Sequence, residues 1–322
     1  MENNRFQNCD LIRTIAIYFV VIIHSLGCVE TGLSGVNEAN ITNAILSIVK
    51  CAVPLFVILS GSLLLHKEES ITIFYKKRLI RLIPPFIVWS FVIYFLNFIK
   101  KGEVFSIVSF FSNYITQTIT SGVVSVYWYF YMILGLYLIT PFLRKFLQSL
   151  NRIESLFLIC LLFFIYAISL LFPDFEIATR FVSNNYIYFI YYCFGFVYIK
   201  YLKDIKLLLW VIILVFSYIL NIINVLYDYT SFPFVSLYSI SIFALLYRVK
   251  IANKYNVECF LGFCSKVSYG IYLFHILIIS AIISSGIYKD CPLFLMPIIV
   301  GTTAFIVCLL LCVIIKKFKW LI

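Results

Sequence analysis

Charge is what this chain has least of. Charged residues make up 12% and hydrophobic residues 63% of 322 positions, against about 25% and about 45–50% in soluble domains. That shortage excludes a soluble globular fold, because no core of this size hides so much apolar surface. Histidines number three, acidic residues 14, and the ten cysteines contain no Cys-x-x-Cys pair. No metal-ligand spacing is present, so no metal is expected, and the cysteines read as small buried hydrophobes. Cys28 and Cys291 fall on the same predicted side, which leaves a disulfide between them open. A cleavable leader is not expected either, since the first apolar run carries Arg13 and His24 and lacks a small-x-small site. No long polar stretch and no internal repeat interrupts the chain, so residues 1–322 are read as a single membrane domain with no appended soluble domain.

What is there instead is a series of apolar runs of about 20 residues, each long enough to cross a bilayer. Hydropathy and helix breakers place ten spans at 11–29, 43–65, 79–99, 126–143, 156–172, 186–202, 205–227, 232–250, 267–288 and 293–315. The expected fold is therefore all-α: a polytopic integral membrane protein of about ten transmembrane helices. Positive charge sets the orientation. The N-terminus, the even-numbered loops and the C-terminus collect 20 of the 25 lysines and arginines. The other side holds only Lys100, Lys101, Arg180 and Lys289, with Lys50 inside the second span. Both termini are expected to be cytoplasmic, in a plasma or inner membrane. The net charge of +11 is explained by this topology and requires no nucleic-acid partner. The longest segment between spans, roughly 100–125, is apolar enough to lie at the outer surface or dip back in.

Polar residues inside such spans are expensive and face a protein interior or a water-filled path. The first span carries two, Arg13 and His24. Eleven residues separate them, so at 3.6 residues per turn they share a face within about 20° and differ in height by about 16 Å. Asp10 stands three residues before Arg13 and is placed to pair with it. Lys50 falls at a depth similar to His24 and is expected near it. Pro54 and then Ser60-Gly61-Ser62 mark a break in the second span that would free backbone groups near Arg13; packing of small residues is the other reading. Arg78 and Arg81, preceded by Lys77, share a face at the cytoplasmic surface, where guanidinium forks suit phosphate oxygens; anchoring to anionic lipid is the plainer reading. Tyr127 to Tyr131 read as an interfacial aromatic belt. His66 reads as interfacial, and His275 as a packing or substrate-positioning group.

These residues, taken in order, resemble the acyltransferase 3 family of integral membrane O-acyltransferases. The first span matches its Asp-x-x-Arg-x-x-Ala opening, here Asp10, Arg13 and Ala16, and its Arg followed by ten residues and His. Pro54 to Gly61 resemble its Pro-x-Phe…Ser-Gly element, with Ser62 where an aromatic is usual. Arg78 and Arg81 followed by Pro84-Pro85 resemble its Arg-x-x-Arg element, and Trp128-Tyr129-Phe130 and Ser268 to His275 are similar to further family segments.

The resemblance implies a ten-helix core that takes an acyl group from cytoplasmic acyl-CoA, acetyl-CoA or succinyl-CoA, to a hydroxyl at the outer side. The acceptor would be a sugar or lipid-linked glycan. His24 would be the essential histidine, Arg13 its motif partner beside Asp10, and Arg78 and Arg81, with Lys77 and Ser60, the coenzyme A binders. Many relatives carry an extracytoplasmic hydrolase-like domain, so this chain would act alone or hand over to a separate protein. A transporter of polysaccharide or small molecules, and a membrane sensor that binds without turnover, stay open beside the enzyme.

Overall fold

The computed structural model describes residues 2–29, 36–102, 105–120, 122–171, 186–226, 234–251, 255–288, 291–292 and 295–315. Among these the chain is helical throughout, without a strand. α1 (Glu2–Val29), α2 (Val36–Val49), α3 (Ala52–Leu64), α4 (Ile71–Lys101) and α5 (Ile107–Thr120) lead to a short 3-10 turn, Ser125–Tyr127. There follow α6 (Trp128–Ser149), α7 (Arg152–Leu171) and α8 (Tyr186–Val197), which continues into a π-helical turn. α9 (Leu207–Leu226), α10 (Phe234–Leu246), α11 (Tyr255–Ser284) and α12 (Met296–Ile315) complete the bundle. Among the described residues, seven helices at predicted spans are long and apolar enough to cross a membrane, and the shorter helices α8, α9 and α10 occupy the other three. Arg180, Lys254, Lys289 and Lys316, Lys317 and Lys319 lie outside the described residues.

Local chemistry explains where the helices begin and end. Ser70 caps α4 by accepting the Ile73 N–H, and Gly102 closes it at φ 64, a left-handed conformation that suits glycine. At the start of α7, Asn151 and Glu154 cap each other: the Glu154 N–H donates to Asn151 Oδ1 at 3.0 Å, and the Asn151 N–H to Glu154 Oε2 at 2.8 Å.

α1 runs through the middle, against α3, α11 and α12. Its contacts fix the directions of its neighbours. Arg13 meets Ser265 and His24 meets His275, so α11 runs parallel to α1. On α12, Tyr18 meets Thr302 and Ser25 donates to the Pro297 carbonyl at 2.6 Å, so α12 runs antiparallel. Gly301 permits this: a Cβ there would stand 2.8 Å from Ser25 Oγ and 2.6 Å from Ile22 Cδ1. The α1 backbone beside His24 is thereby held by α12 while its other face is left to α11.

Several expectations are revised or made specific. The second span does break, but at Lys50–Cys51, where α2 ends and α3 begins; Pro54 sits in the first turn of α3, where its missing N–H costs nothing. Ser60-Gly61-Ser62 continues as helix, and Gly61 serves packing. A Cβ on Gly61 would stand 1.9 Å from the Tyr192 carbonyl oxygen, and one on Gly195 2.1 Å from that of Ile58, so α3 and α8 touch backbone to backbone. Lys50 is exposed at the turn, and the group beside His24 is His275. Within the aromatic cluster, Trp128 and Tyr131 point outward, but Tyr127 and Phe130 are buried. Residues 107–120 form α5, which buries Phe110 among Tyr94, Phe95 and Phe98 of α4 and leaves Ile107, Val108, Ile115 and Ile119 exposed. All ten cysteines are free thiols, Cys28 and Cys291 included.

Candidate active site

Two groups of polar side chains stand inside this apolar bundle, one above the other along α1. The lower group centres on Arg13. Its Nη1 lies 3.5 Å from Asp10 Oδ1 and donates to Ser265 Oγ at 3.2 Å. The predicted i, i+3 pair therefore forms, and Ser265 of α11 is its third member. Tyr137 of α6, half-buried, packs edge-on against Phe74 at 6.3 Å between ring centres and lies within the electrostatic reach of Arg13, Arg78 and Arg81. One phenol thus sits in the field of three arginines marked in the sequence, from α1 and α4. Tyr137 itself gave no signal there, because Leu136-Tyr137-Leu138-Ile139 reads as ordinary apolar helix.

At the base of this group the arginines of two helices meet on one ring. The guanidinium carbons of Arg78 and Arg144 lie 5.6 Å and 5.3 Å from the centre of Phe74, a cation–π arrangement. Glu69 joins them: its Oε1 is 3.6 Å from Arg78 Nη2, and its carbonyl accepts from Arg144 Nη1 at 3.2 Å. Arg144 is only 6% exposed, and its Nε and Nη2, like Nε of Arg78, have no partner among the described residues. Buried guanidinium donors without acceptors are costly and suit an incoming anion. Arg144 escaped prediction because Arg144-Lys145 looks like any positive loop flank. Lys77, in contrast, is exposed and already paired with Glu69 Oε2 at 3.4 Å, and Arg81 is exposed as well.

The upper group is His24 with His275. Their ring centres are 5.1 Å apart. His275 is fully buried, and its Nδ1 lies 2.8 Å from the Tyr272 carbonyl and 3.1 Å from that of Ile271. The wall that holds it is locked by phenols. Tyr127 donates to the Leu273 carbonyl at 2.8 Å, while the Tyr272 hydroxyl donates to the Val126 carbonyl at 3.0 Å and accepts from the Phe130 N–H at 3.2 Å. Tyr129 and Tyr272, 5.3 Å between ring centres, stand between the two groups, and Tyr129 also feels the charge of Arg13. His66 lies apart, stacked 4.5 Å over Phe196.

On α6, Tyr129, Tyr137, Thr140 and Arg144 fall within an arc of about 80° and climb about 22 Å. With Arg13 and His24 on α1, they make a polar line through otherwise apolar packing. Among the described residues no cluster of His, Cys, Asp and Glu offers a metal site. Such a line can hold an anion at one end and offer an imidazole at the other.

A family model described as "Acyltransferase domain" matches residues 6–317. No curated protein and no solved structure matches the chain.

Proposed function

Because that match spans nearly the whole chain, the protein belongs to the acyltransferase 3 family of membrane acyltransferases, and we propose that it moves an acyl group from acyl-CoA to a sugar hydroxyl across the bilayer. The donor is acetyl-CoA or succinyl-CoA on the cytoplasmic side, and the acceptor a sugar or lipid-linked glycan at the outer side. Both termini are cytoplasmic and ten helices cross the membrane; the positive-charge bias and the alternating directions of α1, α11 and α12 support this topology.

The observation that carries the reading is the pair of guanidinium groups, Arg78 and Arg144, set over Phe74 with buried N–H groups that no described residue accepts. Residues of α4 and α6 thereby bring two cations to one ring, against which the half-buried Tyr137 also packs at 6.3 Å between ring centres. In this mechanism Arg78 and Arg144 hold the phosphates of the donor with their unpartnered N–H groups. The thioester arm passes Tyr137 and Arg13 and rises along α1 by about 16 Å to His24. There His24 takes the acceptor hydroxyl proton as the oxygen bonds to the thioester carbonyl carbon. The carbon–sulfur bond breaks, and the proton passes from His24 to the departing thiolate, giving ester and free thiol. Arg13, held by Asp10 and Ser265, orients the arm rather than the reacting carbonyl.

Sidedness tests the proposal. Sealed vesicles of known orientation, given radiolabelled acetyl-CoA or succinyl-CoA on the cytoplasmic face only, are expected to label glycan on the opposite face. Label that appears only when donor and glycan share one compartment contradicts it.

A further inference from the structure

We propose that His275 is the positioning partner of His24, accepting a hydrogen bond from it and so fixing which ring nitrogen faces the acceptor hydroxyl. The inference deepens, and rests on, the reading of His24 as the base. Its foundation is the way His275 is held. Nδ1 lies within hydrogen-bond distance of two backbone carbonyls, at 2.8 Å and 3.1 Å. Carbonyl oxygens only accept, so Nδ1 carries the hydrogen, and in the neutral ring Nε2 presents a lone pair. That Nε2 is buried and has no partner among the described residues.

The nearby hydroxyls are committed elsewhere. Tyr272 bonds Val126 and Phe130, and Tyr127 bonds Leu273. The polar ring left beside Nε2 is His24, at 5.1 Å between centres, a separation at which two imidazoles share an N–H···N bond once the nitrogens face each other. The rings are tilted by 43°, and His24 makes no other hydrogen bond among the described residues. Rotation of its ring about the terminal side-chain torsion, a broad and soft coordinate for histidine, closes the pair.

The consequence is a relay of roles without a second proton transfer. The Tyr272 carbonyl fixes the tautomer of His275, and His275 Nε2 accepts from one nitrogen of His24. The other nitrogen of His24 is thereby a lone pair aimed at the acceptor. When His24 takes the hydroxyl proton, the positive ring is stabilised by His275, and the same proton leaves with the thiolate. His275 gains and loses none. This is the logic by which an acceptor behind a catalytic histidine selects its tautomer, here performed by an imidazole.

The test compares wild type with His275→Leu and His275→Gln in nanodiscs, following thiol release and acyl-CoA binding together. His275→Leu is expected to lower kcat on the order of 10²–10³-fold while leaving KM for acyl-CoA within about threefold. His275→Gln, whose carbonyl oxygen offers an acceptor, is expected to recover most of that loss. Wild-type turnover in His275→Leu, or a glutamine variant as inactive as the leucine one, overturns the proposal.

A second measurement does not depend on the variants folding or on turnover. With only three histidines, nitrogen NMR of the ¹⁵N-histidine-labelled wild type with donor bound is expected to show coupling from the His24 N–H to His275 Nε2. Two uncoupled imidazoles overturn the pairing. A wild type that shows this coupling yet transfers no acyl group overturns the base role of His24 and leaves the pairing standing.

Discussion

Replacing Arg144 by methionine separates the binding role of this residue from any structural one. Arg144 is 6% exposed, Nη1 is satisfied by the Glu69 carbonyl, and Nε and Nη2 are satisfied by no described residue. In the free protein the substitution removes one hydrogen bond, worth about 1 kcal/mol, and also removes a buried charge with unmet donors, which costs about 1–3 kcal/mol. The methionine stem keeps the packing against Phe74. The melting temperature without ligand is therefore expected to hold or rise. With donor present the sign reverses. A charge-assisted hydrogen bond from guanidinium to phosphate contributes about 1.5–3 kcal/mol, so losing one weakens binding roughly 10- to 100-fold. Calorimetric titration of acetyl-CoA into nanodisc-embedded wild type and Arg144→Met reads both quantities, and the difference should shrink in high salt. Unchanged affinity together with a lower melting temperature would refute the reasoning, because it would make Arg144 a prop for Phe74.

Three further outcomes are expected. Gly61→Ala forces α3 and α8 apart, since the new Cβ would stand 1.9 Å from the Tyr192 carbonyl oxygen. It should cost at least about 1–3 kcal/mol and cut the yield of monodisperse protein on gel filtration. Gly135→Ala meets nothing within 4 Å and should be neutral or stabilising by up to about 1 kcal/mol in the same thermal melt; destabilisation there would mean that lipid-facing α6 is packed against something else. Tyr137→Phe removes only the phenol hydroxyl, which lies in the field of Arg13, Arg78 and Arg81. It should leave the melting temperature near that of wild type and lower thiol release roughly tenfold, as expected for one lost net hydrogen bond to a positioned donor; an unaltered rate would take Tyr137 out of the donor path.

Much of this was legible in the sequence because it depends on period and cost. A histidine and an arginine eleven residues apart on an apolar helix must share a face, and α1 presents both to α11, through Ser265 and His275. The positions of the apolar helices followed from hydropathy alone. What escaped depends on which helices are neighbours. Arg144 looked like a loop flank and became buried only because the end of α6 packs beneath the start of α4, against Phe74 and Glu69. Arg78 lies on the same ring, whereas Lys77, adjacent in sequence, is turned out to Glu69. Gly61 left a break and small-residue packing both open in the sequence, and packing is what it serves: its partners, Tyr192 and Gly195, lie about 130 residues away along the chain and could not be named. His275 was read as packing or positioning, but its neighbour could not be named until α1 and α11 were set side by side.

The central claim is that His24 performs acyl transfer from acyl-CoA, and one comparison tests it most directly. Purified protein in nanodiscs, supplied with acetyl-CoA or succinyl-CoA and membrane glycans, is assayed for thiol release in wild type and His24→Ala. The account predicts glycan-dependent release by wild type that falls on the order of 10²–10⁴-fold in the variant, with donor binding and melting temperature retained. Release that persists undiminished in His24→Ala, or a wild type that binds no acyl-CoA and frees no thiol, would contradict it.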